Sequence, residues 1–334
     1  MSHPPAPLVS VITPVYNGAE YLRECIESVC AQTYPNWRYT IVNNSSTDET
    51  LSIAEPYAAR DSRIRISTNT AFLSLIANHN HAFTLIDPEA GYCKPLMADD
   101  WLYPGCLEEL VGAAAGRPDV GLVSCSARTS GDRVLFDGLE APGARVTYLS
   151  GREAGRRGLL ADRYFFGSPT TMLIRADLVR KRSPFYNPEN LQADEEACYD
   201  LLRESGFAFV HAPLAYVRMH ARSHTSATYH LFSLASCHAY ALAKYGPDYL
   251  NPGELGPRLQ QRMQEYYARL ALAAVERRGP EFWDFHRRLL GLMGRPLSRV
   301  RLAWAVLVHV LRRLGSPREL ARGVRSRLGS APRR

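Results

Sequence analysis

The amino-acid sequence predicts an α/β protein in which a mostly parallel sheet carries helices on both faces, followed by a helical C-terminal region. The first 125 residues alternate between strand-like apolar runs and segments with helical periodicity, which is the pattern of such a sheet. After residue 233 the composition changes to helices rich in Arg, Leu and Ala. The chain has 334 residues, of which 46% are hydrophobic, so it is long enough to bury a full core.

The strands expected in the first 125 residues are the short apolar runs 8–15, 37–42, 64–67, 92–98 and 120–125. The helices expected between them cover 22–29 and 73–86, and two more begin near 46 and at Pro104. Ser46 and Glu49 have the spacing of a capping box, which predicts the start of the second helix. Pro56 should end that helix, because proline cannot donate the next helical hydrogen bond.

The signals weaken over residues 126–160, where Gly, Arg and Pro are dispersed, and we predict loops with a small insertion there. Ordered structure is expected again at 165–175, with a helix at about 194–203. The helices expected after the change in composition are 259–278, 282–293 and 297–314. These patterns place a domain boundary between about 225 and 250.

The net charge of +7 is divided unevenly along the chain. Residues 251–334 contain 18 Arg, no Lys and six acidic residues, a net charge of +12, which leaves −5 for residues 1–250. The seven cysteines are scattered without a CxxC pair, so we expect neither a disulfide framework nor a zinc site. We therefore expect a cytoplasmic protein. No signal peptide is expected, and the longest apolar run, 302–311, is too short to span a bilayer.

Polar residues follow three of the predicted strands. They are Pro14 to Asn17, Asn43 with Asn44, and Asp99 with Asp100. In an open α/β sheet, ligands bind outside the carboxyl ends of the strands, so these residues are the first candidates for a site. Adjacent carboxylates repel each other, and a divalent cation or a sugar hydroxyl would relieve that repulsion. The alternative is a solvated turn leading into the next helix.

Two segments resemble the nucleotide-binding half of family 2 glycosyltransferases, which have the GT-A fold: VSVITPVYNGAEYLRECIESVCAQTYPNWRYTIVNNSSTDET and YCKPLMADDWLYPGCL. Three later segments resemble the acceptor half of the same family: FFGSPTTMLIR, ADEEACYDLL and YVRMHARSHT. The resemblance covers about residues 7–228. It implies a catalytic domain over 1–232, with a nucleotide-binding half at about 7–125 and an acceptor half at about 126–232, and leaves an Arg-rich helical region at 233–334.

The resemblance also implies an activity, which is the inverting transfer of a sugar from a nucleoside diphosphate donor to an acceptor hydroxyl with Mg²⁺ or Mn²⁺ as cofactor. UDP-sugars are favoured as donors, and a glycan or a lipid-linked intermediate of the cell envelope is the expected acceptor. The residues implied in donor binding are Pro14, Tyr16, Asn17, Asn43, Asn44, Asp99 and Arg218. Asp100 and His220 are implied as metal ligands, and Asp194 as the general base with Glu195 beside it.

Several of these assignments have alternatives. Asp194, Glu195 and Glu196 are consecutive, so the base is not unique, and Asp194 alone could be read as a helix N-cap. His220 alone could be an ordinary hydrogen-bonded histidine. Family members usually carry an Asp where this chain has Asn43 and Asn44, which leaves the nucleobase open.

Other functions compete with this assignment. The Arg-rich tail suits a helix on an anionic membrane surface, at the inner face of the cell membrane, or else a subdomain that packs on the core. A nucleic-acid-binding protein is suggested by the pI of 9.1, but the chain contains no recognised binding module, so we expect no nucleic acid partner. A sugar-1-phosphate nucleotidyltransferase would need a Gly-rich phosphate loop that TPVYNGAEYL does not supply. A member that binds donor without transferring it is the remaining alternative.

Overall fold

The computed structural model describes residues 6–314, apart from 137–138, 140–142, 162–163, 224–225 and 227. The chain divides into two compact units, Met1–Ser223 and His224–Arg334. The division falls slightly before the boundary predicted between 225 and 250.

The first unit is built on a mixed sheet, ten-stranded over the residues described. The strands are β1 Val9–Val15, β2 Trp37–Asn43, β3 Ile64–Thr68, β4 Tyr92–Pro95, β5 Trp101–Leu102, β6 Val120–Thr129, β7 Arg133–Leu135, β8 Val146–Leu149, β9 Leu173–Arg175 and β10 Gly206–Tyr216. Their order is β3-β2-β1-β4-β9-β6-β10-β5, with β7 beside β6 and β8 beside β10. The β3-β2-β1-β4 half is parallel, as is the β6–β10 pair, whereas β5, β7, β8 and β9 pair antiparallel.

Helices cover the sheet because its central strands are apolar on both faces. All seven residues of β1 are buried, as expected of a parallel strand between two helical layers. The helices of this unit are α1 Leu22–Cys30, α2 Thr50–Arg60, α3 Leu75–Thr84, α4 Cys106–Ala114, α5 Gly151–Leu160, α6 Ala176–Arg180 and α7 Ala193–Leu202. Helix α1, for example, buries Leu22, Cys25, Ile26 and Val29 at helical spacing, as the sequence predicted.

The prediction of loops over 126–160 was wrong, because this segment contains β7, β8 and α5. Two glycines of α5, Gly151 and Gly158, allow close packing and do not break the helix. A Cβ atom on Gly151 would lie 2.0 Å from the carbonyl oxygen of Leu202, and one on Gly158 would lie 2.8 Å from the ring of Phe166. The 11-residue strand β10 was also not predicted.

The capping box predicted at Ser46 and Glu49 is absent. Helix α2 begins at Thr50, and it is Asp48 that accepts hydrogen bonds from the backbone and hydroxyl of Thr50. Ser46 instead accepts a hydrogen bond from the backbone N–H of Asn17 at 3.0 Å. The helix also continues through Pro56 to Arg60, so the predicted end at Pro56 was wrong.

The second unit is helical in the part that the structure describes. Its α-helices are α8 Ser233–Tyr249, α9 Pro252–Val275, α10 Pro280–Leu292 and α11 Arg299–Leu314. Helix α8 was not predicted, and α9 begins earlier than expected because Asn251 and Glu254 form a capping box there. Between residues 6 and 314, no described helix is long and apolar enough to cross a membrane.

Candidate active site

The pairing of β1 with β4 ends before β1 itself ends, and we call this place the sheet opening. Strand β1 pairs with β2 along its whole length, up to Val15 beside Asn43, whereas its pairing with β4 ends at Ile12 beside Pro95. The chain order reverses at this point, since β2 and β3 lie on one side of β1 and β4 lies on the other. Such switch points are where open α/β sheets bind ligands. Pro14 is buried beside the opening, at the end of β1.

The aspartate pair lies in the turn that follows β4, at this opening. Asp100 is almost completely buried, and Oδ1 and Oδ2 accept hydrogen bonds from the backbone N–H of Arg218 at 2.8 Å and from the hydroxyl of Thr170 at 2.5 Å. Asp99 is partly exposed, and its Oδ2 lies 2.9 Å from Nε2 of His220. The structure therefore brings Asp99, Asp100, Arg218 and His220 together, although they lie about 120 residues apart in the chain.

Burial, together with the negative charge of Asp99, raises the pKa of Asp100 to about 7. The hydrogen bonds from Thr170 and Arg218 act in the opposite direction, because they stabilise the carboxylate form. Ionisation of the Asp100 carboxyl beside Asp99 therefore carries a free-energy cost near neutral pH. A cation bound between them would remove that cost.

Arg218 ties the chain after β10 to helix α1. Its Nε donates to the backbone carbonyl of Asp99 at 2.9 Å, and its guanidinium pairs with Glu24 and lies 4.3 Å from the ring centroid of Tyr21. Arg222 forms a second ion pair, with Glu20. The segment that carries His220 is therefore held at two points against the start of α1.

The two ring nitrogens of His220 have different surroundings in the described part of the chain. Nε2 faces Asp99, whereas Nδ1 is buried and has no hydrogen-bond partner among the residues described. A buried polar atom of this kind can be satisfied by a bound water or ion. The described residues contain no group of three or more His, Cys, Asp or Glu side chains that could hold a metal ion by themselves. Two carboxylates and a histidine still fit Mg²⁺ or Mn²⁺, because such ions are usually held by one or two carboxylates together with substrate phosphates.

Two exposed aromatic rings contact each other near the carboxyl end of β1. Tyr16, just after β1, is 48% exposed, and Phe72, before α3, is 61% exposed. Their ring centroids are 4.8 Å apart in an edge-to-face arrangement. Exposed aromatic rings beside a crevice are suited to stacking on a planar base. Phe72 was missed from the sequence, although a single aromatic in the polar stretch STNTAFLS is a signal that could have found it.

Asn17 and Asn43 shape the turn after β2. Asn17 has a left-handed backbone with φ of 48°, which asparagine tolerates better than most residues, and its Oδ1 accepts from the N–H of Thr47 at 2.8 Å. Oδ1 of Asn43 accepts from the N–H of Ser46 at 3.1 Å. These amides fix the backbone beside Tyr16.

Asn44 is buried and holds the loop that carries Phe72. Its Oδ1 accepts hydrogen bonds from the N–H of Leu73 at 2.9 Å and from the amide of Asn69 at 2.8 Å, and its Nδ2 donates to the carbonyl of Leu73 at 2.8 Å. The family resemblance implies a role for Asn44 in donor binding. In the structure both polar atoms of its side chain are engaged by the protein.

The acidic triplet lies in the first turn of α7. The N-cap of this helix is Gln192, so the alternative that Asp194 is an N-cap was wrong. Glu196 is buried and accepts hydrogen bonds from the amides of Asn187 and Asn190, the latter at 2.8 Å. Glu195 is also buried, whereas Asp194 is partly buried.

Burial raises the pKa of Asp194 to about 6, and the charge of Glu195 adds to this effect. A carboxylate with a pKa near the working pH is suited to general base catalysis.

Tyr186 lies close enough to Asp194 for the two groups to interact. Burial raises the pKa of Tyr186, and the charge of Asp194 raises it further. The amide of Asn80 binds the backbone of Tyr186 at both N and O, at 2.7 and 2.8 Å.

A continuous set of contacts leads from Tyr186 to the aspartate pair. The ring of His79 lies 6.0 Å from that of Tyr186, and its Nε2 lies 3.3 Å from the sulfur of Met97. The N–H of Met97 donates to the hydroxyl of Thr170, which binds Asp100. His79 therefore packs between Tyr186 and Met97.

Two further residues of the site were missed from the sequence. Thr170 lies in a 3₁₀ turn, Pro169–Thr171, that precedes β9. Lys94 is completely buried in β4, and its ammonium donates to the carbonyls of Thr170 and Pro95. A lone lysine in an apolar strand is a signal for such a role, whereas nothing in the local sequence marks Thr170.

Residues 10–183 match the family model of glycosyl transferase family 2. The O-antigen biosynthesis protein RfbC of Myxococcus xanthus is 33% identical over 141 residues, which is 42% of this chain and 10% of RfbC. The glycosyltransferase GlyA of Streptococcus pneumoniae serotype 4 is 35% identical over 103 residues, 30% of this chain and 14% of GlyA. The chain thus spans only a small part of the length of these curated relatives.

Two solved structures share the fold at low sequence identity. S. aureus TarS (residues 1–349) in complex with UDP-GlcNAc matches with a TM-score of 0.62 at 16% identity, over 85% of this chain and 80% of that one. Mannosyltransferase PcManGT from Pyrobaculum calidifontis, in complex with GDP-Man and Mn²⁺, matches with a TM-score of 0.53 at 18% identity, over 93% and 81% of the two chains.

Proposed function

The chain belongs to glycosyl transferase family 2 and has the GT-A fold, and from this premise we propose that it is an inverting glycosyltransferase. It transfers a sugar from a nucleoside diphosphate donor to an acceptor hydroxyl. The observation that carries the proposal is the fixed carboxylate of Asp100, which Thr170 and Arg218 hold beside Asp99 at the sheet opening. A separate carboxylate, that of the partly buried Asp194, provides the second chemical group that the reaction needs.

The nucleoside of the donor binds at the aromatic end of the site. Its base stacks on Tyr16 and Phe72, the turn shaped by Asn17 and Asn43 contacts the nucleoside, and Asn44 positions Phe72 through the loop that it holds. Pro14 lines the floor of this pocket. UDP-sugars remain the favoured donors, and the fold likeness to TarS, which was solved with UDP-GlcNAc, supports this choice.

The diphosphate and the sugar bind over the aspartate pair. Asp99 would bind the sugar or the ribose, Asp100 and His220 would hold Mg²⁺ or Mn²⁺, and Arg218, which is fixed against the backbone of Asp99, would lie close to the phosphates. When bound, the ion neutralises the charge that develops on the leaving diphosphate. The Mn²⁺ in the P. calidifontis mannosyltransferase complex supports this cofactor.

Asp194 acts as the general base. It takes the proton of the acceptor hydroxyl while the hydroxyl oxygen attacks the anomeric carbon and the bond from that carbon to the diphosphate breaks. One displacement from the face opposite the leaving group inverts the anomeric configuration. Burial keeps the pKa of Asp194 close to 6, and the charge of Glu195 adds to this effect, so the base is both ionised and basic near neutral pH.

The acceptor is a glycan or a lipid-linked intermediate of a cell-envelope polysaccharide. The likeness to an O-antigen biosynthesis protein supports this class, without identifying the sugar. The reaction takes place in the cytoplasm, and the free state of all seven cysteines supports a reducing compartment.

The test is a panel of UDP-, GDP-, CDP- and dTDP-sugars, incubated with Mn²⁺, Mg²⁺ or EDTA and a set of saccharide and lipid-linked acceptors. We expect one donor to release its nucleoside diphosphate only with metal, and NMR of the product to show inversion at the anomeric carbon. A donor that binds but is never consumed with any acceptor would favour the catalytically degenerate alternative. Retention of configuration would contradict the single displacement.

A further inference from the structure

The helix α11 leaves an apolar stripe uncovered. Val300, Trp304, Leu307 and Leu311 are 80%, 67%, 47% and 56% exposed. Their spacing of three and four residues places them on one face of the helix. An exposed stripe of this kind, with a tryptophan at its centre, is unusual for a surface that faces only water.

Positive charges flank the stripe on both sides. Helical geometry places Arg299 on one side of it and Arg301 and Arg312 on the other. The sequence of α11, RVRLAWAVLVHVLRRL, contains four arginines and no acidic residue. An apolar face bordered by arginines is the pattern of a helix that lies in the interface of an anionic membrane.

A groove beside the stripe shares two of these arginines and adds a third, Arg295. It lies between α9 and α11 and has a volume of about 910 Å³. Three arginines, Arg295, Arg301 and Arg312, line it, together with apolar side chains such as Met263 and Trp304. Glu265 also lines the groove, but its carboxylate is paired with Arg262 at 2.8 Å. Guanidinium groups next to apolar walls suit a phosphate headgroup with its acyl chains.

We propose that α11 docks the protein on an anionic phospholipid bilayer, with the stripe in the headgroup region and the flanking arginines on the lipid phosphates. The helix has 16 residues, about 24 Å of length, so it lies on the bilayer and does not span it. A second copy of the chain is the weaker choice of occupant, because two such helices would place arginines against arginines. Residues 315–334, with six Arg and one Glu, carry the same sign of charge.

The charge part is tested by co-sedimentation of the full chain with phosphatidylcholine vesicles, with and without phosphatidylglycerol as roughly a third of the lipid. We expect binding to the anionic vesicles only, weakened by salt. The double variant Arg301→Gln, Arg312→Gln should bind at least about tenfold more weakly. The control Arg269→Gln, Arg288→Gln removes the same charge from exposed positions on α9 and α10 and should bind nearly as the native chain does. An equal loss of vesicle binding in the two double variants would contradict docking through α11.

The apolar part is tested by Leu307→Ser against Leu292→Ser on α10, since the two leucines are 47% and 46% exposed. We expect only Leu307→Ser to weaken vesicle binding, and vesicles to shift Trp304 fluorescence to the blue, a signal identified by its loss in Trp304→Phe. Thermal unfolding of each variant confirms that it is folded. Native-like vesicle binding by Leu307→Ser would overturn the proposal. It would also be overturned if the native chain bound no vesicles and formed a dimer that the Leu307→Ser substitution dissociates. None of these readouts requires enzymatic activity, so they are independent of the proposed reaction.

Discussion

The hydroxyl of Thr170 donates a 2.5 Å hydrogen bond to Oδ2 of Asp100, and this contact joins two segments that lie 70 residues apart in the chain. Strand pairing brings the two residues together. Strand β9 follows Thr170, strand β4 precedes Asp100, and the two strands pair antiparallel. Lys94 in β4 binds the carbonyl of Thr170 from the other side. The orientation of the Asp100 carboxylate is therefore set before any ligand binds.

Thr170→Val should weaken metal-dependent donor binding without touching the donor. Valine has nearly the same shape but cannot donate to Asp100, and loss of such a supporting hydrogen bond typically costs about 10–100-fold in metal affinity. Isothermal titration of Mn²⁺ in the presence of UDP, or of whichever nucleotide the panel selects, measures the change. Thr170→Ser, which keeps the hydroxyl, should bind close to the native affinity. Equal affinities for native and Thr170→Val would show that the contact does not matter for the metal.

The pH dependence of transfer should report Asp194. The base acts when it is ionised, so kcat/KM at saturating metal should be level above the pKa of about 6 and fall about tenfold per pH unit below it. The charge of Glu195 contributes to the raised pKa, so Glu195→Gln should move this acid limb to lower pH. An acid limb that stays in place in Glu195→Gln would contradict the electrostatic coupling of the two residues.

Removal of either exposed ring should weaken nucleotide binding. Stacking of a base on an aromatic side chain is worth about 1–3 kcal/mol, so Tyr16→Ala and Phe72→Ala should each raise the Kd of the nucleoside diphosphate by roughly five- to a hundredfold. Tyr229→Ala, at a 71% exposed tyrosine of the second unit, is the matched control. Fluorescence or calorimetric titration with the nucleoside diphosphate measures the Kd of each variant and of the control. If the two variants bind no worse than the control, the base lies elsewhere.

Glu196→Gln should affect stability more than catalysis. The carboxylate of Glu196 accepts from Asn187 and Asn190 in a buried position, and a glutamine would turn an N–H group towards one of these donors. Loss of a buried hydrogen bond to a charged group costs about 1–3 kcal/mol, which urea unfolding measures. Transfer by the folded variant should stay close to native. A folded variant of undiminished stability that has lost transfer would make Glu196 the base instead of Asp194.

Local patterns explain what the sequence could predict. Strands β1 and β2 are long apolar runs, and the polar residues at their ends mark the sheet opening without any long-range information. The aspartate pair could be found in the same way. Residues Arg218 and His220 were placed there only through the family resemblance, because no spacing indicates that β10 returns to this edge of the sheet.

Long-range packing explains what was missed. The glycines of α5 look like helix breakers until Leu202 and Phe166 occupy the space that side chains would need. The role of Asn44 depends on Asn69 and Leu73, which approach it only in the folded loop. Likewise, the prediction of a capping box at Ser46 was wrong because the Ser46 hydroxyl accepts a hydrogen bond from the backbone N–H of Asn17.

The central claim is that the two carboxylates have separate tasks, with Asp100 holding the metal and donor and Asp194 taking the acceptor proton. The most direct test compares Asp100→Ala with Asp194→Asn in two assays, metal-dependent donor binding and sugar transfer. We expect Asp194→Asn to bind donor with native affinity and to transfer at least about a hundredfold more slowly, whereas Asp100→Ala loses metal-dependent binding. Native-rate transfer by Asp194→Asn, or native metal-dependent binding by Asp100→Ala, would contradict the claim.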